Sequence, residues 1–228
     1  MLKAKSRESS GGIGRIETYR VLIPAGPVTL DGDLWIPELS QGLALFAHGQ
    51  GSSRQSPRNI LVAEKLNGAG IATLLMDLLT LEESLNDVPL DLGVLAGRVG
   101  EVLDWLRTDP RTSALSVGCF GGSTGAAVAL LAAAEPGSRI RAVVSRGGRT
   151  DLAGSALERV QAPTLLLVGS RDDVVVRLNR RGYDGLGCSK KELAIIPGAS
   201  HLFEEPGALE EVARRAAEWF RRHLPQAG

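Results

Sequence analysis

Leu115-Ser116-Val117-Gly118-Cys119-Phe120-Gly121-Gly122-Ser123-Thr124-Gly125-Ala126-Ala127-Val128-Ala129-Leu130 is the stretch on which the fold turns. Leu115 to Phe120 is a short apolar run closed by glycines, which predicts a strand. Thr124 to Ala134 is alanine-rich, which predicts a helix. Between them lies Gly121-Gly122-Ser123-Thr124-Gly125, a G-x-S-x-G pattern. In a strand-to-helix setting this pattern matches a nucleophile elbow, a sharp turn that holds the serine hydroxyl exposed. The flanking glycines would let neighbouring chain approach without a Cβ clash. The Thr124 N–H would open the helix, where a developing oxyanion is favoured. A dinucleotide loop would need G-x-G-x-x-G in the first strand–helix unit, and neither spacing nor position fits. A plain small-residue turn is the alternative.

Working outward, short apolar runs alternate with helical patterns on both sides. Tyr19 to Pro24 and Val28 to Ile36 predict an antiparallel hairpin around Ala25-Gly26-Pro27. Strand Leu43 to Ala47 precedes a helix from about Pro57 to Ala69. Strand Ala72 to Met76 leads through a loop to a helix from about Leu92 to Leu106, with apolar residues at helical spacing. After the elbow helix come strand Arg141 to Ser145, a short helix near Ala153 to Val160 and strand Thr164 to Val168. A helix near Val175 to Tyr183, strand Glu192 to Ile196 and an amphipathic helix carrying Leu209, Val212, Ala213, Ala216, Phe220 and Leu224 complete the series, with Pro225 just beyond. This order predicts an α/β fold: a mostly parallel, twisted sheet of about eight strands with helices on both faces. The interval from Ser145 to Thr164 holds one short helix, so no large cap domain is expected. Residues 1–14 are polar and read as a flexible tail, and residues 15–226 as a single domain.

Ligands in such sheets bind beyond the carboxyl ends of the strands. After Leu43 to Ala47 comes His48-Gly49-Gln50-Gly51-Ser52-Ser53, where the Gln50 N–H is expected as a second oxyanion donor and His48 as a structural residue organising the loop. After Thr164 to Val168 comes Gly169-Ser170-Arg171-Asp172-Asp173. A carboxylate here would orient a histidine base; Asp172 is favoured, with Asp173 as a solvated neighbour or helix cap. After Glu192 to Ile196 comes Pro197-Gly198-Ala199-Ser200-His201. His201 completes the chain order Ser…Asp…His, whereas His223, beside Arg221 and Arg222 near a helix end, reads as a surface residue. Four arginines also follow strand ends: Arg54, Arg58, Arg146 and Arg149. They are candidates to bind a substrate carboxylate, against the alternative that they pair with acids such as Asp77 or Asp151.

Bulk properties limit the field. The chain has 228 residues, 43% of them hydrophobic and 23% charged, with 26 basic and 26 acidic side chains. That balance argues against a nucleic-acid binder, which needs a basic excess. The N-terminus lacks the apolar stretch of a secretory signal and no run is long enough to span a bilayer, so the cytoplasm is the expected location. Cys119 and Cys188 do not form a disulfide framework, the three histidines lack metal-ligand spacing, and no metal or cofactor is expected.

Taken together, the His48-Gly49-Gln50-Gly51 loop, the elbow around Ser123, the Gly169-x-x-Asp172 step and Pro197-Gly198-x-x-His201 resemble the α/β-hydrolase superfamily, within it the dienelactone-hydrolase-like group, over about Val21 to Leu224. The resemblance implies a hydrolase with Ser123, Asp172 and His201 as catalytic residues and backbone oxyanion donors at Gln50 and Thr124. Dienelactone hydrolases proper use a cysteine where this chain has Ser123, which shifts the expectation to small carboxylic esters or lactones. The expected partner is a small-molecule substrate, with no nucleic acid or membrane, in a monomer or homodimer. An acyltransferase using the same acyl-enzyme, or a non-catalytic small-molecule binder, are the competing classes.

Overall fold

Successive residues of a strand point to opposite faces, and β4, Gly42–Ala47, shows what this does here. Leu43, Leu45 and Ala47 enter one apolar cluster, while Ala44 and Phe46 enter another on the opposite side. A strand buried on both faces belongs in the interior of a parallel sheet. The computed structural model describes residues 5–7, 15–86 and 91–224, and the side chains of all of these except 5–7.

Among the described residues one nine-stranded sheet runs in the order β1-β2-β3-β5-β4-β6-β7-β8-β9. Its other strands are β1 (Lys5–Arg7), β2 (Ile16–Ala25), β3 (Val28–Pro37), β5 (Ile71–Met76), β6 (Val117–Gly122), β7 (Val143–Arg146), β8 (Thr164–Gly169) and β9 (Lys191–Ile196). β1, β2 and β3 pair antiparallel, β3 is antiparallel to β5, and all later pairings are parallel. The eight expected strands are β2 to β9. The ninth, β1, lies inside the stretch read as a tail; the rest of 1–14 and Pro225 lie outside the described residues.

The helices are α1 (Pro57–Gly68), α2 (Leu81–Leu85), α3 (Leu92–Thr108), α4 (Thr124–Ala134), α5 (Asp173–Gly185) and α6 (Ala208–His223). A 3₁₀ segment, Thr150–Arg159, kinked at Gly154, fills the interval between β7 and β8, where a cap would have been inserted. α1 and α6 cover one face, and the α6 stripe of Leu209, Val212, Ala213, Ala216, Phe220 and Leu224 is buried there. α3 and α4 cover the other. Cys119 and Cys188 are free and buried, and burial pushes the Cys119 thiol up to about 12. No helix among the described residues is long and apolar enough to cross a membrane.

The stretch after β5, expected to be loop, contains α2. Its start is a capping box: Thr80 Oγ1 accepts from the Glu83 N–H (3.2 Å) and the Glu83 carboxylate accepts from the Thr80 N–H (2.8 Å). The Thr80-x-x-Glu83 signature was present in the sequence. It is only one turn long, so no apolar periodicity accompanied it. Arg98 of α3 donates to both Glu83 oxygens and to the Leu78 carbonyl, clamping α2 to α3.

That clamp predicts a pH dependence. The Arg98 guanidinium holds the Glu83 carboxyl at about 2, below its ordinary 4.5. A depressed carboxyl stabilises the fold above its unfolded value and loses that contribution as pH falls toward the folded one. Glu83→Gln is therefore expected to lower the melting temperature at pH 7, with the gap to wild type closing as pH falls from 4.5 toward 2. A gap that widens on acidification would contradict the clamp.

Candidate active site

The elbow is the junction of β6 and α4. Ser123 has φ 52 and ψ −120, a left-handed backbone conformation that a non-glycine residue rarely adopts. Such a residue costs on the order of 1–3 kcal/mol and persists only where its surroundings hold it. Here the Ser123 N–H donates to the Arg146 carbonyl (3.0 Å), and the Ser123 carbonyl accepts from the N–H groups of Arg149 and Ala126, each at 3.1 Å. The two framing glycines are required by space. A Cβ on Gly125 would lie 2.2 Å from the Ala47 carbonyl oxygen, and one on Gly121 would lie 2.4 Å from Ala126 Cα. This close approach seats the start of α4 against the end of β4.

Asp172 and His201, expected as acid and base, are brought together: His201 Nδ1 lies 2.6 Å from Asp172 Oδ2. With the proton assigned to Nδ1, His201 donates to the carboxylate and Nε2 keeps its lone pair for a proton. The same aspartate caps α5, its Oδ1 accepting from the Val175 N–H (3.2 Å). The cap offered as a role for Asp173 thus belongs to Asp172, and Asp173 is exposed at the first helical position. The His201 ring also borders the elbow. It lies 3.5 Å from where a Cβ on Gly147 would be, and Gly147 follows the residue whose carbonyl holds Ser123.

Opposite lies the His48–Ser53 loop. His48 is buried and uses both ring nitrogens: Nδ1 donates to the Gly49 carbonyl (3.0 Å) and Nε2 accepts from the Leu78 N–H (2.9 Å). Burial lowers its pKa, which favours this neutral form. A Cβ at Gly49 would lie 3.3 Å from Ser123 Cβ, so the loop lies directly against the elbow. The Gln50 N–H, expected as an oxyanion donor, donates to Thr124 Oγ1 at 2.8 Å. The loop walls a cleft of about 810 Å³, lined also by Thr124, Arg58, Leu79 and Leu81. Ser123 and His201 are not among the residues that line it.

The four arginines separate into two kinds. Arg54 donates to Asp33 (3.1 Å) and through both its backbone N–H and its guanidinium to Asp77. Arg149 makes two bonds to Asp151, at 2.9 and 2.7 Å. Both are paired with acids, as the pairing alternative held. Arg146 and Arg58 are different. Arg146 Nη1 and Arg58 Nε are buried without partners, and Arg58 has only a 3.7 Å contact to Glu204. An Arg146 nitrogen lies 2.7 Å from where a Cβ on Gly122 would be, so its guanidinium fills the space beside Ser123 that Gly122 leaves open. Burial, then the nearby Arg58 charge, bring Arg146 down to about 10. It is still charged at neutral pH.

Two acids were missed. Asp33 joins Asp77, already named as a partner for the strand-end arginines, in holding Arg54 at the end of the His48–Ser53 loop, a contact no local pattern signals. Glu205 accepts from the Ser200 N–H (2.9 Å) and hydroxyl (3.2 Å), tying down the residue before His201. These backbone and side-chain donors hold its carboxyl below the usual range. His223, read as a surface residue, is half-buried against the Trp219 ring.

No family model matches the chain. It is similar in structure and sequence to a dienelactone hydrolase from Anabaena variabilis, at 53% identity and a TM-score of 0.89, over 92% of this chain and 99% of that one. A lidless α/β serine hydrolase from Xanthomonas campestris shares the fold at 21% identity and a TM-score of 0.75, over 92% and 97% of the two chains. Two curated Mycobacterium tuberculosis proteins, provisionally named phosphoribosyl transferases, are each 56% identical over 205 residues. Those residues make up 90% of this chain but 46% of each relative, so the chain spans about half the length of the curated relatives it matches.

The dual role of Asp172 sets a test between the adjacent acids. Asp172→Asn keeps a helix cap but removes the charge facing His201. It is expected to slow fluorophosphonate labelling of Ser123 by about 10⁴-fold, the loss seen when a serine-enzyme acid is made neutral. Asp173→Asn is expected to label at the wild-type rate, and the reverse pattern would move the acid to Asp173.

Proposed function

The chain belongs to the dienelactone hydrolase family of α/β-hydrolases, and we propose on that premise that it is a serine hydrolase of small carboxylic esters or lactones. The observation that carries this reading is the strained Ser123 elbow beside the Asp172–His201 pair. In the proposed reaction Ser123 Oγ attacks the acyl carbonyl while His201 Nε2 takes its proton, with Asp172 stabilising the imidazolium. The carbonyl electron pair collects on oxygen against the Thr124 N–H and the Gln50–Thr124 contact. When the intermediate collapses, His201 returns the proton to the departing alkoxide. Water activated by the same histidine then releases the acid from the acyl-enzyme. The 3₁₀ segment in place of a cap leaves the site open to small esters.

Arg146 and Arg58 narrow the substrate further. Two neighbouring guanidiniums with buried, unpartnered nitrogens, that of Arg146 lying beside Ser123, suit an ester that also carries a carboxylate, which would meet both charges and satisfy their N–H groups. As for the mycobacterial relatives, we assign their provisional name to the half of those proteins that this chain does not span.

Ser123→Ala is expected to lower p-nitrophenyl acetate turnover by several orders of magnitude, on the order of 10⁶; near wild-type turnover would end the assignment. Product analysis with an added alcohol acceptor separates hydrolysis, which yields free acid, from acyl transfer, which yields a new ester. For the arginines the readout is the ratio of kcat/KM for mono-p-nitrophenyl succinate to that for p-nitrophenyl butyrate. Arg146→Met and Arg58→Met are each expected to lower this ratio at least about tenfold, on the scale of a charge-assisted pair, and Arg149→Ala to leave it unchanged. A ratio indifferent to Arg146 and Arg58 would remove the anionic substrate and leave ester hydrolysis standing.

A further inference from the structure

A peptide N–H carries one hydrogen, and the hydrogen of Gln50 points at Thr124 Oγ1 across 2.8 Å. An oxyanion donor must aim its hydrogen at the position that the substrate oxygen will occupy. In this structure the Gln50 amide is instead committed to a side chain from the opposite side of the site. Thr124 is the residue after the nucleophile, and its own N–H opens α4 without a helical acceptor. Both expected donors therefore converge on this one residue.

The Thr124 hydroxyl accepts from Gln50 and still has a hydrogen of its own to give. Among the described residues no acceptor takes that hydrogen. The oxygen lies 3.5 Å from where a Cβ on Gly49 would be, and that same position is 3.3 Å from Ser123 Cβ. The hydroxyl thus sits where the oxyanion loop meets the nucleophile, and Thr124 also lines the cleft. A hydroxyl that accepts a hydrogen bond becomes a stronger donor, because the two bonds polarise one another.

Resting on the serine-hydrolase reading, we propose that the second oxyanion donor is the Thr124 hydroxyl rather than the Gln50 amide. The Gln50 N–H is then a positioning group: it fixes Oγ1 so that the O–H turns toward the carbonyl oxygen. Thr124 gives two hydrogen bonds to that oxygen, from its N–H and its Oγ1–H. No proton leaves the hydroxyl at any step; the proton of Ser123 goes to His201, and the negative charge stays on the substrate oxygen until the intermediate collapses. The opposite arrangement makes the hydroxyl a plug that occupies the Gln50 N–H and must rotate away before that amide can serve.

The two arrangements differ in the sign of one substitution. Thr124→Val keeps the shape of the side chain and removes the hydroxyl, and Thr124→Ala does so in a helix where alanine is well tolerated, so it serves if the valine variant fails to fold. With p-nitrophenyl acetate both are expected to lower kcat about 10- to 100-fold, toward the loss caused by deleting one oxyanion donor. KM is expected to stay within about threefold, since the bond is made in the transition state. Thr124→Ser is expected to restore most of kcat. Affinity for an alkyl boronic acid, which forms the tetrahedral adduct, is expected to fall in parallel with kcat, whereas inhibition by the product acid does not change. Thr124→Val and Thr124→Ala variants that are folded and turn over within threefold of wild type, or faster, would overturn the proposal in favour of the plug. A loss shared by Thr124→Ser, or one confined to KM, would overturn it in favour of a packing role. Ser123→Ala in the same assay keeps the two readings apart: activity there refutes the serine mechanism itself, whatever Thr124 does.

Discussion

The contact between the first turn of α4 and the carbonyl end of β4 governs the rest of this site. Gly125 meets the Ala47 and His48 carbonyls with no side chain between them, at a distance that any Cβ would violate. Backbone packed on backbone leaves little freedom, so Ser123 and the His48–Ser53 loop inherit their spacing from the sheet. Both ring nitrogens of His48 then hold the loop, and Arg54 ties its far end to Asp33 and Asp77. The strain at Ser123 is sustained by the same neighbourhood, with three backbone hydrogen bonds fixing one residue.

Charge is distributed unevenly around this frame. Where a loop needs anchoring, an arginine is paired: Arg54 with two acids, Arg149 with Asp151, Arg98 with Glu83. Beside Ser123 the Arg146 guanidinium has a buried Nη1 without a partner, and Arg58 keeps only its 3.7 Å contact with Glu204. A buried guanidinium without a full set of partners costs several kcal/mol in desolvation, and Arg146 and Arg58 add mutual repulsion to that. Arg146 carries this cost beside Ser123, in the space that the missing side chain of Gly122 provides.

Much of the site was legible because strand ends are marked locally. The glycine pattern around Ser123, the acids after β8 and the histidine after β9 each follow an apolar run with a clear boundary. The choice between Asp172 and Asp173 was not settled by spacing, since adjacent residues follow the same strand. It depends on where α5 begins: Asp172 has non-helical backbone angles and spreads its two oxygens between Val175 and His201, while Asp173 is already in the helix. The helix α2 and the edge strand β1 escaped because each is too short for apolar periodicity to mark it.

By itself the sequence determined the order of strands and helices, the two buried faces of the sheet and the residue types at the strand ends, because periodicity and turn chemistry act over a few neighbouring residues. Only the tertiary structure decided which arginines are neutralised and which stand unpaired, and which hydroxyl meets the Gln50 amide. Those outcomes rest on contacts between residues 23 positions apart, as for Arg54 and Asp77, or 74 apart, as for Gln50 and Thr124. At such separations the chain's own pattern is silent, and the geometry of the closed sheet chooses the partner.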